Sequence, residues 1–96
     1  MTKKEILYFF QTHQDEMYEK FSVVKVGLFG SYATNTATQD SDIDVFAKFE
    51  HKKYRNIAGF WNYLERHLGK KVDLLYDHKQ MRPALKESIQ KGIIYG

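Results

Sequence analysis

The sequence predicts an α/β (α+β) domain in which a mixed sheet of three to four strands is covered by helices. The chain has 96 residues, of which 43% are hydrophobic and 28% charged, an ordinary globular balance. Segments with helical spacing of apolar residues alternate with short β-branched segments. One helical segment separates two predicted strands, which makes those strands parallel neighbours. This length sustains one core, so residues 1–96 are predicted to form a single domain.

The first predicted element is a helix from Thr2 to about Phe21. Apolar residues recur along it at helical spacing and define one buried face. They are Ile6, Phe10, Met17 and Phe21. Thr2 and Glu5 fit a capping box, because each side chain can bind the free backbone N–H of the other residue.

Three short strands are predicted. Val23–Phe29 is rich in β-branched and aromatic residues and stops at Gly30. Asp42–Glu50 alternates: Ile43, Val45 and Ala47 are predicted to point one way, and Asp42, Asp44, Phe46 and Lys48 the other. Val72–Tyr76 is the third strand.

Helices are predicted between and after these strands. A short helical turn is predicted to begin at Ser31. A longer helix has Ile57, Phe60, Trp61, Leu64 and Leu68 on its buried face and ends at Gly69. Tyr63 falls off that face, which makes it a candidate for an interface. A last helix is predicted to start at Pro83, with Leu85 and Ile89 inward, and to end at Gly92.

Aspartates lie at the starts of two of these strands. Asp42 and Asp44 are two residues apart, so they project from one face of a strand. Because the crossover makes the second and third strands parallel, Asp73 comes to lie beside them. Close carboxylates repel each other unless a cation neutralises them, and an oxygen site of this kind prefers Mg²⁺ or Mn²⁺. The three aspartates are therefore candidate ligands of two metal ions, roughly 3.5–4 Å apart.

A glycine and a serine form the second half of the candidate site. Gly30 allows a sharp turn out of the strand, and Ser31 opens a helical turn whose free N–H groups can bind phosphate oxygens. Each feature has a commonplace alternative: a solvated Asp-x-Asp, an ordinary Gly-Ser turn, or an Asp73 paired with Lys70 or Lys71. Their occurrence together favours a site for a nucleoside triphosphate and its metal ions.

Composition excludes several other classes of protein. The net charge of +3 suits an anionic ligand but is too small to indicate a nucleic-acid binder. No apolar run has the length of a membrane span, and the charged start of the chain does not resemble a signal peptide. The chain has no cysteine, which permits a cytoplasmic location. His13, His51, His67 and His78 show no metal-ligand spacing and are predicted to lie at or near the surface.

The segments Gly30-Ser31-Tyr32-Ala33 and Ser41-Asp42-Ile43-Asp44 resemble the signature of the nucleotidyltransferase superfamily related to DNA polymerase beta. The chain length, the segment Val72-Asp73-Leu74-Leu75 and the tail Met81-Arg82-Pro83-Ala84-Leu85 narrow the resemblance to its minimal members. These are antitoxins encoded beside HEPN-domain toxins. The resemblance implies the small nucleotidyltransferase fold. It also implies metal binding by Asp42, Asp44 and Asp73, with Asp73 as base, and triphosphate binding by Gly30 and Ser31.

The function implied by the resemblance is Mg²⁺-dependent transfer of AMP from ATP to a hydroxyl, that of a tyrosine, on a partner HEPN toxin. Two alternatives remain open: a non-catalytic antitoxin that neutralises its partner by binding, and nucleotidyl transfer to a small molecule. Thr34-Asn35 stands where the family often has Arg-Gly, which removes a cationic phosphate contact. Lys48 and Lys25 are candidate substitutes for that contact, although a lysine at such a position is more often a solvated surface residue. A homodimer and a hetero-oligomer are both compatible with the sequence.

Overall fold

The computed structural model describes residues 1–76 and 92–96. Its helices are α1 (Lys3–Thr12), α2 (Gln14–Phe21), α3 (Gly30–Ala33) and α4 (Tyr54–Leu68). Its strands are β1 (Val23–Phe29), β2 (Ile43–Phe49), β3 (Val72–Tyr76) and β4 (Ile94–Tyr95). The last helix predicted from Pro83, with Leu85 and Ile89, and also His78, lie outside the described residues.

The four strands form one mixed sheet in the order β3-β2-β1-β4. β1 is antiparallel to β2 and to β4, whereas β2 and β3 are parallel. The mixed sheet with helices and the parallel crossover are therefore confirmed. β4 was not among the three strands predicted individually, because a two-residue strand carries almost no periodicity.

The core lies between one face of the sheet and the helices. Ile43, Val45 and Ala47 point into it and are fully buried, as the alternation predicts. Residues of α1, α2 and α4 join them in one hydrophobic cluster, including Ile6, Phe10, Met17, Phe60 and Leu64. Asp42 and Asp44 alternate with these strand residues and so project from the opposite face, where Phe46 is also buried.

The single helix predicted for the start of the chain is wrong, because the helix is interrupted at His13. The backbone of His13 leaves the helical region (φ −117°, ψ 14°) and separates α1 from α2. The Thr12 hydroxyl donates to the Tyr8 carbonyl at 2.9 Å, and His13 Nδ1 lies 2.9 Å from the Phe9 carbonyl oxygen. Such side-chain bonds to the backbone compete with the continuing helix. The capping box of Thr2 and Glu5 is confirmed.

The prediction that Tyr63 lies off the buried face of α4 is wrong. Tyr63 is only 7% exposed, whereas Trp61, predicted to be buried, is 38% exposed. The Tyr63 ring packs against Phe9 and Phe21, with centroids 5.9 and 5.2 Å apart. Both partners come from α1 and α2, which cover this side of α4.

None of the helices in the described ranges combines the length and the apolar character that a membrane span requires.

Candidate active site

Asp44 and Asp73 are direct register partners on the parallel strands β2 and β3. On its other side Asp44 is the register partner of Phe29, the last residue of β1. Residues opposite each other in a sheet project from the same face, so Asp44 and Asp73 point together. Asp42 precedes β2 by one residue and is exposed, as is Asp73, whereas Asp44 is half-buried. The topology thus brings the three predicted aspartates to the end of the sheet where β2 and β3 begin and β1 ends.

The turn from β1 into α3 is built around Gly30. Its φ of +73° lies in the left-handed region, and a Cβ at this position would meet the Asp44 carboxylate. A side chain is therefore excluded twice, by backbone conformation and by the close approach of Asp44. This approach places the predicted phosphate turn in direct contact with Asp44, one of the predicted metal ligands.

The electrostatics at Asp44 reflect its burial and the two neighbouring carboxylates. Burial raises the pKa of Asp44, and the negative charges of Asp73 and Asp42 raise it further. The two neighbouring carboxylates therefore disfavour ionisation of Asp44, an effect that a bound cation would reverse.

Carboxylate oxygens are the donors that Mg²⁺ prefers, so the residue types fit a divalent cation. In the described part of the chain, however, no group of three or more His, Cys, Asp or Glu side chains is arranged to hold a metal ion. Donor chemistry and strand register favour a metal here, although the described side chains do not form a preassembled set of three ligands.

The α3 turn presents Ser31 beside Gly30. Hydrogen bonds hold the turn closed: Thr34 N–H donates to the Gly30 carbonyl at 3.2 Å and Thr36 N–H to the Ser31 carbonyl at 2.9 Å. The N–H groups of a first helical turn have no partner within the helix, which leaves them available to an anion. The Ser31 hydroxyl makes no hydrogen bond to the described residues, so it too is available.

Thr34 and Asn35 close this turn instead of supplying a cation. The Thr34 hydroxyl lies within hydrogen-bonding distance of the Gly30 and Ser31 carbonyls, at 3.3 Å each, and Asn35 has a φ of +60°. Asparagine tolerates this left-handed conformation better than most residues. The two residues therefore shape the α3 turn.

The structure does not bring Lys25 or Lys48 to Gly30. The two lysines are register partners on β1 and β2, four residues along β2 from Asp44. At about 3.3 Å per residue, this separation is about 13 Å. Lys25 Nζ instead lies 4.1 Å from the centroid of the Tyr95 ring.

A different lysine contacts the elements of the site. Lys70 Nζ donates to the Tyr32 hydroxyl at 2.8 Å and to the Gln39 carbonyl at 3.1 Å. It thus joins α3, the loop before Asp42 and the segment entering β3. The sequence suggested Lys70 only as an ion-pair partner of Asp73, and no such pair is found among the described residues. A lone lysine before a strand carries no signal that would have identified these contacts.

A family model, a curated relative and two solved structures resemble this chain. Residues 11–95 match the model of the nucleotidyltransferase domain family. Protein adenylyltransferase MntA of Thermococcus cleftensis is 35% identical over 95 residues, covering 98% of this chain and 91% of that protein. A solved structure described as a minimal nucleotidyltransferase superposes with a TM-score of 0.81 at 26% identity, covering 98% of this chain and 95% of that one. A toxin–antitoxin crystal structure with AMP-PNP gives a TM-score of 0.69 at 18% identity, covering 88% of this chain and 70% of that one, a likeness of fold.

Proposed function

The chain belongs to the nucleotidyltransferase family, and from that premise we propose that it transfers AMP from ATP to a hydroxyl group of a partner protein. The observation that carries this proposal is the register pairing of Asp44 with Asp73, which places two carboxylates side by side next to the Gly30 turn. The relative named protein adenylyltransferase supports a protein acceptor, and the AMP-PNP in the toxin–antitoxin structure supports an adenine nucleotide.

Each residue of the candidate site has a role in the proposed reaction. Asp42 and Asp44, with Asp73, would hold Mg²⁺ (two ions, with Mn²⁺ as a substitute). The bound cation would neutralise charge on the phosphates and assist departure of pyrophosphate. Gly30 and Ser31 would bind the triphosphate through the free N–H groups of the turn and the Ser31 hydroxyl.

The proposed chemistry is one displacement at the α-phosphorus. The acceptor oxygen forms a bond to that phosphorus, the bond from the α-phosphorus to the bridging oxygen breaks, and pyrophosphate leaves. Asp73 accepts the proton of the acceptor hydroxyl, which makes the oxygen a better nucleophile. Holding the hydroxyl in line with the leaving oxygen supplies much of the remaining rate enhancement.

The proposed partner is a HEPN-type toxin, and the proposed acceptor is a tyrosine hydroxyl on it. This assignment follows the resemblance of the Gly30-Ser31 and Asp42-Ile43-Asp44 segments to the minimal members of the family. In this proposal the protein acts in the cytoplasm as an antitoxin that modifies its partner covalently.

A second candidate function is neutralisation of the partner by binding alone. The observation that favours it is the use of Thr34 and Asn35 to close the α3 turn, where the family often has a cation. Weaker nucleotide binding would then leave occlusion of the partner as the main effect. The two functions differ in whether AMP becomes covalently attached to the partner protein.

A transfer assay separates these functions. The purified protein is mixed with Mg²⁺, labelled ATP and the candidate partner, the product of the neighbouring gene. Intact mass spectrometry then measures the mass of the partner. The parent chain is expected to add one or more AMP groups. Asp73→Asn is expected to lower the transfer rate by a hundredfold or more, as for loss of a general base, while partner affinity is kept. Asp15→Asn, an exposed change on α2, is the matched control and should transfer normally. If the parent silences its partner stoichiometrically and attaches no AMP, the binding-only function replaces the enzymatic one.

A further inference from the structure

We propose that Trp61 and Glu65 are positioning residues that hold Asp73 opposite Asp44. Their side chains bind the two backbone polar groups of Val72, the residue directly before Asp73. This inference rests on the proposed function, because it assigns them a purpose in the reaction that Asp73 serves.

Two hydrogen bonds from α4 hold the backbone of Val72, and we call this pair of contacts the clamp. Trp61 Nε1 donates to the Val72 carbonyl at 2.7 Å, and Val72 N–H donates to Glu65 Oε2 at 2.9 Å. Trp61 and Glu65 are four residues apart on α4, so they lie one above the other on one side of the helix. One turn of α4 thus reaches both polar groups of a single β3 residue.

The clamp occupies the open side of an edge strand. Among the strands in residues 1–76 and 92–96, β3 lies at the end of the sheet and pairs with β2 alone. The N–H and C=O of one strand residue point to the same side, and the carbonyl of the preceding residue, Lys71, accepts a hydrogen bond from Ile43 at 3.0 Å. The Val72 groups therefore face away from β2. An edge strand normally leaves such groups to solvent, but here two side chains bind them.

The position of the clamp determines what it controls. The Val72 side chain is 1% exposed and anchored in the core. Because its side chain and both backbone groups are held, Val72 has little conformational freedom. The backbone dihedral angles of Val72 in turn set the direction in which Asp73 projects. The Asp73 side chain is exposed and makes no hydrogen bond to the described residues. Its alignment with Asp44 therefore depends on the backbone that carries it, which pairs with β2 on one side and is held at Val72 by Trp61 and Glu65 on the other.

Neither clamping side chain is explained by another role in the described residues. Trp61 keeps 38% of its surface exposed, so its ring contributes only part of its area to the core. Glu65 forms no ion pair within residues 1–76 and 92–96. Their shared contact is Val72.

Three variants test the clamp. Trp61→Phe removes the indole donor and keeps an aromatic ring. Glu65→Leu removes the acceptor at similar size, and Glu65→Gln restores an oxygen acceptor. The exposed changes Tyr54→Phe on the same helix and Glu19→Leu on α2 are matched controls, since neither side chain forms a hydrogen bond to the described residues.

Transfer kinetics, Mg²⁺–ATP calorimetry and amide hydrogen exchange are measured on each protein. We expect Trp61→Phe and Glu65→Leu to lower kcat by about tenfold to a hundredfold, as for a small misplacement of a reacting group. The affinity for Mg²⁺–ATP should fall by no more than a few-fold, less than kcat does, because Gly30, Ser31 and Asp42 are untouched and Asp73 is displaced without being removed. Amide exchange should accelerate at Val72 and Asp73, and Glu65→Gln should recover most of kcat.

Failure of the inference and failure of the proposed function give different results. If the parent chain transfers no AMP, the proposed function fails, and local exchange at Val72 and Asp73 still decides whether the clamp holds Asp73. If the parent is active and the variants keep its kcat, the positioning role is overturned. It is also overturned if exchange accelerates throughout the chain and kcat, nucleotide affinity and Tm fall together, because that pattern marks a purely structural contact.

Discussion

The Asp44 carboxylate lies against the Cα of Gly30, in the space that a Cβ would fill. This contact joins the end of β1 to the start of β2, two segments separated in the sequence by the α3 turn and its loop. The candidate phosphate-binding residues and the candidate metal ligands therefore form one packed unit. A substitution at Gly30 should therefore displace Asp44, and a substitution at Asp44 should alter the turn at Gly30.

Gly30→Ala tests this contact directly. Alanine disfavours the positive φ of this position, and its methyl group would displace the Asp44 carboxylate. We therefore expect both destabilisation and loss of Mg²⁺–ATP binding. Gly69→Ala is the matched control, because Gly69 has a φ of +66° but no neighbouring atom where its Cβ would lie. The control should lose about 1–2 kcal/mol for the left-handed backbone alone and should bind nucleotide normally. Equal stability and equal calorimetric affinity in the two variants would contradict the account of Gly30.

Asp42→Asn tests the metal site. One negative charge disappears from a group of three carboxylates, so mutual repulsion decreases and the fold should be retained. Mg²⁺-dependent binding of ATP should be abolished, because a ligand of the proposed cation is lost. Calorimetry with Mg²⁺–ATP measures the binding, and circular dichroism checks the fold. The same Mg²⁺–ATP affinity in parent and variant would show that Asp42 is no ligand.

Lys70→Met tests the link between α3 and the loop before Asp42. The change removes both hydrogen bonds of the ammonium, to the Tyr32 hydroxyl and the Gln39 carbonyl. We expect a loss of about 1.5–3 kcal/mol, the range for a hydrogen bond to a charged group, and weaker Mg²⁺–ATP binding. Lys71→Met is the control, since the exposed Lys71 side chain makes no contact of this kind. Chemical denaturation and calorimetry measure the two effects, and identical results for the two lysines would refute the assignment.

The interaction of Glu16 with Tyr63, on the side of the molecule away from the aspartates, should make the stability of the fold depend on pH. The Tyr63 hydroxyl is buried and makes no hydrogen bond of normal geometry, yet it lies close enough to Glu16 for each group to shift the pKa of the other. Burial and the Glu16 carboxylate raise the pKa of Tyr63. The pKa of Glu16 falls below its ordinary value of 4.5, chiefly because of the Tyr63 hydroxyl, with Lys20 contributing less.

A carboxylate with a lowered pKa stabilises the fold above its unfolded pKa, and the contribution is lost as the pH falls through the folded pKa. Glu16→Gln should therefore lower Tm at pH 7, and the difference from the parent should disappear below pH 4.5. Thermal denaturation between pH 7 and pH 3 measures this, with Glu19→Gln as a control that shows no such trend. On a Tyr63→Phe background the Glu16 effect should shrink. A difference that persists unchanged at pH 3 would exclude this ionisation as its cause.

Much of the architecture could be read from short-range patterns. The Thr2–Glu5 capping box, the bounds of β1 and the end of α4 at Gly69 each depend on residues near one another in the chain. The crossover rule extended this reasoning to the parallel alignment of β2 and β3, which brings Asp73 near Asp42 and Asp44, whereas the register that pairs Asp44 with Asp73 is known only from the structure. These features were predictable because local geometry and chain connectivity allow few alternatives.

The sequence by itself determined which residue types could carry the chemistry and which strands would bring them together: Gly30, Ser31 and the three aspartates follow from spacing and topology. Tertiary structure alone decided that Tyr63 is buried, that Lys70 reaches Tyr32, and that Trp61 and Glu65 hold Val72. Each of these contacts joins residues on different elements, and each depends on the angle and distance at which the elements pack. Periodicity along the chain reports which face of a helix is apolar, but it contains no information about which backbone group or side chain will stand opposite a given residue.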